Sequence, residues 1–532
     1  MKTIRSIAFC TAVLALLSTA CQKPDPTPTP VDEAPTSIML SQSSFSVANT
    51  GEKLSLTVTA PARPAVSGLP DWISLTDGTY SKYKITFGLM VAANAGYQER
   101  TATLTVTSSG ASSVTVTVTQ AASAEPEPPT SDPDPDNNPA WKMAMNLGLG
   151  WNMGNQFDGY YNGSWAGEKE GYPGECVWQP DDSHKATQAT FEGLKKAGFT
   201  SVRIPVSWLR MIGPAPAYTI DETWLGRVYE VVGFAHNAGL NVIVNTHHDE
   251  NHGVNNTYQW LDIKNAANNS ALNQAIKEEI KAVWTQIAEK FKDCGDWLIL
   301  ESFNELNDGG WGWSDAFRAN PSKQCDILNE WNQVFVDAVR ATGGENATRW
   351  LGVPTYAANP EYTTYFTMPS DPAGKTMLAV HFYDPSDYTI GKEQYSDWGH
   401  TGQAGQKATW GDEDHVREVF GKLNASFVEK KIPVYLGEFG CSMRRKSDSR
   451  AWAFYKYYLE YVVKAARTYG LPCFLWDNGG TDSGQEQHGY IHHGNGSYLG
   501  NSKELVDLMV KAWFTDKEGY TLQTIYNSAP KF

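Results

Sequence analysis

The chain has 532 residues, too many for a single compact core, and two or more domains are expected. It carries 43 basic against 59 acidic residues, a net charge of −16, and no basic footprint for nucleic acid. Hydrophobic residues make up 41%, which suits a globular protein. The aromatic inventory (19 Trp, 25 Tyr, 20 Phe) suits a cleft for sugar rings, whose apolar faces and polar rims match indole and phenol.

The N-terminus reads as a targeting segment. Met1-Lys2-Thr3-Ile4-Arg5 is a basic leader, and 7–17 is an apolar run too short to span a membrane. Ser18-Thr19-Ala20-Cys21 follows and looks like a lipobox, with Ser18 where Leu is usual. It predicts a signal peptide over 1–20 and a lipid anchor on Cys21, hence a lipoprotein of the outer membrane. The Pro/Thr-rich stretch 21–35 reads as an extended tether. Discounting Cys10 and Cys21, five widely spaced cysteines remain and no CxxC occurs, so neither a disulfide framework nor a zinc site is read.

Residues 36–122 alternate with period two, most clearly in Val114-Thr115-Val116-Thr117-Val118-Thr119, which predicts half-buried antiparallel strands of a small all-β immunoglobulin-like sandwich. Pro70-Asp71-Trp72-Ile73, the run 100–106 and the closing Val116-Thr117-Val118-Thr119-Gln120 resemble the BACON module of Bacteroidetes surface proteins. That name implies carbohydrate binding. With one structural Trp72 and no cluster of aromatics, a spacer role is preferred. Residues 123–139, rich in Pro, Asp and Glu, form a second linker.

From 140 to 532, β-like runs alternate with helical stretches. Strands are expected at 147–152, 201–205, 241–246, 298–303, 350–353, 377–381, 434–438 and 473–476, and helices at 187–197, 224–238, 273–291, 330–341, 416–430 and 451–469. Eight such strands imply an α/β fold, the (β/α)8 TIM barrel, with its site at the strand C-terminal ends. Two glutamates stand there: Glu305 in Phe303-Asn304-Glu305-Leu306, and Glu438 in Gly437-Glu438-Phe439-Gly440. A protonated and an ionised carboxyl facing one mouth are what glycosidic-bond hydrolysis requires. His248-Asp249-Glu250-Asn251-His252 has His at i and i+4, but it is not HExxH and follows a strand, so it is no zinc-protease motif.

Other strand ends carry Arg203, His247-His248, His381-Phe382-Tyr383 and Trp476. Together with Asn304-Glu305 and the Gly-Glu-Phe-Gly string, they resemble glycoside hydrolase family five over about residues 141–515. The resemblance implies a retaining mechanism with Glu305 as acid and then base, and Glu438 as nucleophile. Arg203 is expected to lower the pKa of Glu438, and Tyr383 to hydrogen-bond and orient it. Asn304 binds the 2-hydroxyl, His247 and His381 hold hydroxyls or orient Glu305, and Trp476 is the stacking floor. Trp151-Asn152-Met153-Gly154-Asn155 and Glu175-Cys176-Val177-Trp178-Gln179-Pro180 resemble subfamily four, with Gln179 replacing Gly-Asn. Trp398-Gly399 and Trp410-Gly411 agree with it. His248, Asn155 and Trp398 complete the expected substrate-binding set. The loops 160–165 and 310–313 are expected to supply flanking subsites.

The implied activity is an endo-β-1,4-glucanase on soluble glucan, mixed-linkage glucan or xyloglucan. A mannanase or xylanase of the same fold, and a catalytically silent glycan-binding lipoprotein, stay open. Acid–base and nucleophile chemistry needs no metal or organic cofactor. The expected partners are a polysaccharide and, through Cys21, a membrane, with no nucleic acid, and the expected state is a monomer.

Overall fold

The structure, a computed structural model, describes residues 33–94, 99–122, 137–163, 167–179, 181–252, 258–391, 395–482 and 484–532. The expected signal peptide, Cys21, nearly all of the first tether, residues 123–136 of the linker and Trp165 lie outside the described residues. The chain separates into two compact units, one ending at Glu125 and the other beginning at Pro126.

The first unit contains β1 (Met39–Leu40), β2 (Ser44–Val47), β3 (Glu52–Thr59), β4 (Ala65–Ser67), β5 (Ile73–Thr76), β6 (Lys84–Val91), β7 (Arg100–Ser108) and β8 (Ala111–Gln120). They form two four-stranded sheets, ordered β1-β3-β6-β5 and β2-β8-β7-β4. The period-two pattern sends Leu56, Val58, Phe87, Leu89, Leu104, Val106, Val116 and Val118 inward, where they are buried. One pairing departs from the antiparallel expectation: β2 runs parallel to β8. The chain leaves the first sheet after β1 and enters the second at β2, so the two strands never form a hairpin.

In the second unit, β9 (Leu149–Met153), β10 (Ser201–Ile204), β11 (Asn241–Asn245), β12 (Leu298–Glu301), β13 (Leu351–Pro354), β14 (Thr376–Phe382), β15 (Val434–Phe439) and β16 (Cys473–Asp477) close into a parallel barrel. Every residue of β9 to β15 except Asn241 is buried, because helices cover the outside and side chains fill the inside. The helices are α1 (Pro139–Leu147), α2 (Gln188–Ala197), α3 (Glu222–Asn237), α4 (Ser270–Lys290), α5 (Pro321–Ala341), α6 (Glu413–Ser426), α7 (Ser449–Thr468) and α8 (Ser502–Phe514). One expectation changes. Residues 147 and 148 are not strand: Leu147 ends α1, whose first turn is capped by the Asn138 side chain with Pro139 in place. No α-helix follows β13, where 3₁₀ turns over Tyr356–Ala358 and Pro360–Tyr365 take its place.

Two details position the site. Met143 and Leu147 of α1 pack with Ile243, Ile299, Met377, Ala379, Tyr435 and Phe474, an apolar layer inside the barrel. In β15 the register against β14 shifts, so that Leu436 faces Val380 while Glu438 faces His381. This bulge re-aims the Glu438 side chain. Gly352 makes room for what lies above the apolar layer: a Cβ there would meet the Tyr435 hydroxyl at 2.2 Å. Gly352→Ala is therefore expected to destabilise the barrel by about 1–3 kcal/mol, read as a lowered urea midpoint, and to reduce activity in the protein that remains folded.

Candidate active site

Four barrel strands each place a polar residue where the pattern is otherwise apolar: Asn152 (β9), Arg203 (β10), Asn245 (β11) and Glu301 (β12), all fully buried. A buried guanidinium is tolerable only when its charge and its five N–H donors are met. Arg203 meets all five. Nε and Nη2 donate to Glu301 (3.1 and 2.7 Å), Nη2 also donates to Asn304 Oδ1 (2.8 Å), and Nη1 donates to Asn152 Oδ1 (3.0 Å) and to Glu438 Oε1 (2.8 Å). Glu301 further accepts from Asn245 Nδ2 (2.9 Å) and the Tyr435 hydroxyl (2.6 Å).

Above this layer stand the two glutamates. Glu438 accepts from Arg203 on one oxygen and from the Tyr383 hydroxyl, at 2.9 Å, on the other. Glu305 Oε1 lies 2.6 Å from His381 Nδ1. Ligating-type atoms of Glu305, His381 and Glu438 all lie within 4.8 Å of one another. Burial pushes Glu305 up to about 7, and the charge of Glu250 adds to it. Burial also raises Glu438, outweighing the downward pull of the Arg203 guanidinium. The guanidinium acts downward on Glu438, as expected, while desolvation acts upward and is larger. Burial pulls His381 down to about 4, so its ring is neutral.

His247 is likewise neutral, held far below the usual imidazole range by burial. Its tautomer follows from its neighbour. Asn245 Oδ1 accepts from Val206 N–H (3.1 Å), so its amide nitrogen faces Glu301 and, at 3.2 Å, His247 Nδ1. The His247 proton then sits on Nε2, 4.0 Å from both Asp158 and Glu438. This bears on metal binding. Asp158, His247 and His248 form the second group whose ligating-type atoms lie within 4.8 Å. A protonated Nε2 offers no lone pair there, so the trio does not fit a metal as it stands. On His248, burial opposes charge, but Glu250 (3.4 Å) and Asp158 (3.8 Å) outweigh it and push the ring up to about 9.

The remaining expected residues divide. Trp476 is half-buried and stacks parallel to His247, with ring centroids 5.8 Å apart. Gly154 allows this approach, since a Cβ would meet the indole at 2.7 Å. Asn155 adopts φ +56°, and its N–H donates to Asp158 at 3.1 Å, so its backbone rather than its side chain is what the structure ties to the site. Trp398 does not belong: it is 2% exposed, packed among Tyr457, Tyr458 and Tyr461, and its Nε1–H donates to Gly411 O. A fully covered indole has no face left for a sugar. In the flanking loops, Trp311 and Trp313 are 48% and 62% exposed. Trp178 is as open as Trp313, and it is held by Gln179 Nε2 donating to Gly479 O, beyond Trp476. The sequence reading did not name Glu301, Asn152, Asn245, Tyr435, Asp158 or Glu250 as site residues. For the first three, the legible signal was a lone polar residue inside an apolar strand.

Residues 161–482 match the cellulase family, glycosyl hydrolase family 5. The chain belongs to this family. Residues 66–121 match the BACON family, described as a putative binding domain, N-terminal. Endoglucanase A of Paenibacillus barcinonensis is 35% identical to the hydrolase over 367 residues, covering 66% of this chain and 84% of that protein. A xyloglucan-specific endo-beta-1,4-glucanase of Bacteroides ovatus is 32% identical over 449 residues, 81% of this chain and 84% of the other. A solved broad specificity endoglucanase from Bacteroides salanitronis is 49% identical with a TM-score of 0.65, covering 71% of this chain and 96% of that one.

Trp398→Ala is expected to cost about 3–5 kcal/mol of stability. KM for a soluble glucan should stay unchanged in the folded fraction, and steady-state kinetics beside chemical denaturation check this.

Proposed function

We propose that this family 5 hydrolase, an endo-β-1,4-glucanase, works by double displacement with Glu438 as nucleophile and Glu305 as acid and base. The observation that supports it best is the Glu305–His381–Glu438 cluster within 4.8 Å. So close an approach of one oxygen of each carboxyl supports the retaining separation of about 5–5.5 Å over the inverting 6.5–9.5 Å.

In the first step a Glu438 oxygen attacks the anomeric carbon and the glycosidic C–O bond breaks. The Glu305 proton passes to the leaving oxygen. Glu305, pushed up to about 7, is protonated below that pH and half protonated at it, so it can serve as the acid near neutrality. Neutral His381 at 2.6 Å orients it. In the second step the Glu305 carboxylate takes a proton from water, which attacks the same carbon and displaces Glu438. Asn304, fixed through Oδ1 by Arg203, keeps its amide N–H groups for a sugar hydroxyl.

The substrate reading is a soluble β-1,4-glucan backbone, including branched xyloglucan. The xyloglucan-specific relative supports it, as do the exposed Trp178, Trp311 and Trp313, which offer flat faces outside the catalytic subsite. The chain is further proposed to be held at the outer membrane by lipid on Cys21. Among the described residues no helix is long and apolar enough to cross a membrane.

Glu438→Ala should abolish hydrolysis of carboxymethylcellulose and xyloglucan by at least about 10³-fold with the fold intact by circular dichroism. Retained activity refutes the assignment, and silence of the wild type on both glucans refutes the enzyme reading. For the wild type, kcat/KM should fall above about pH 7 as Glu305 ionises. Glu305→Gln should lose that basic limb on aryl glycosides whose leaving group needs no acid. Cys21→Ser should move the protein from the detergent phase to the aqueous phase in a Triton X-114 partition.

A further inference from the structure

Glu301 has no place in the two-step chemistry, yet it is a fully buried carboxylate with four hydrogen-bonding groups around it. Arg203 Nε and Nη2 grip both its oxygens, Asn245 donates to Oε1 and Tyr435 to Oε2. Gly352, where a Cβ would strike the Tyr435 hydroxyl at 2.2 Å, keeps the space for that last contact. We propose that Glu301 is a positioning residue for the nucleophile: it shares Arg203 with Glu438, which fixes the guanidinium and neutralises part of its charge.

A guanidinium bound only to Glu438 would stabilise the carboxylate fully and blunt its attack. A second carboxylate on the opposite side of the same guanidinium offsets that field. Through Asn245, the same residue fixes which His247 nitrogen carries the proton, so one side chain orients two walls of the site. The groups that face Glu438 itself are Arg203 from β10, His247 and His248 after β11, Glu305 after β12, and His381 and Tyr383 at the end of β14. Of these, Arg203 directly and His247 through Asn245 are the groups that a change at Glu301 reaches.

This inference rests on the retaining reading above. The test is the pH dependence of kcat/KM on xyloglucan for the wild type, Glu301→Gln and Tyr435→Phe, with the Glu438 carboxyl titrated directly by ¹³C NMR. Gln keeps the acceptor toward Arg203 and turns its amide toward Tyr435, but it removes the charge. The acidic limb should move down by about one pH unit, with kcat reduced. Tyr435→Phe keeps the charge and strips the hydroxyl dipole that damps it, so its limb should move up. A Glu301→Gln limb that stays in place overturns the proposal, as does a Tyr435→Phe limb that moves down or does not move. Should Glu301→Gln not fold, Tyr435→Phe alone decides. An inactive wild type would instead refute the retaining-enzyme reading, so the two failures are distinct.

Discussion

The site depends on burying one guanidinium. Taking a cation wholly out of water costs several kcal/mol, and the cost is offset only when every donor is paired and the charge is countered. Arg203 is wholly buried, and its partners come from β9, β12, the loop after β12 and the β15 bulge. These are not neighbours in sequence. They converge only when the barrel is closed and in register, so the ion-pair network and the catalytic geometry appear together. The apolar layer of Met143, Leu147, Ile299, Tyr435 and Phe474 closes the barrel interior around this network. It keeps the dielectric low where the charges act.

Low dielectric alone would treat the two catalytic carboxyls alike, since burial is the largest cause of the upward shift in each. The contacts separate them. Glu438 holds the cation directly at 2.8 Å and a hydroxyl at 2.9 Å, both of which favour its ionised form. Glu305 holds a neutral imidazole and has the charge of Glu250 acting on it, which favours its proton. Two chemically identical groups are thereby pushed toward opposite protonation states in one cleft, the pattern on which the proposed acid and nucleophile roles rest.

What was legible in the sequence was whatever stands at the end of a strand. Glu305, Glu438, Arg203, His381 and Tyr383 follow or close apolar runs, and the structure brings them together. Glu301 and Asn245 close β12 and β11 but were not read as site residues, because the expected strands ran on to 303 and 246 and left them inside a run, and Asn152 stood within the 151–155 motif without a role of its own. Trp398 failed for the opposite reason. Tryptophan is equally suited to a sugar and to a core, and only the tyrosines of α7 decide which. Helix α1 was missed because its last residue continues into the hydrophobic run of β9 without a polar break.

The same distinction between a covered and an open indole bears on how glycan contact is distributed along the chain. The described residues of the β-sandwich carry no exposed aromatic, and Trp72 lies under the Arg100 guanidinium at 4.4 Å. Its outward strand positions are largely Thr and Ser, as in β7 and β8, which hydrogen-bond well but give no flat apolar face. The barrel unit has Trp178, Trp311, Trp313 and Trp410 open to solvent beyond its half-buried Trp476. Stacking on sugar rings needs apolar area that can be desolvated. Among the described residues that area lies on the barrel unit, so stacking contacts with a glucan chain are favoured there over the sandwich.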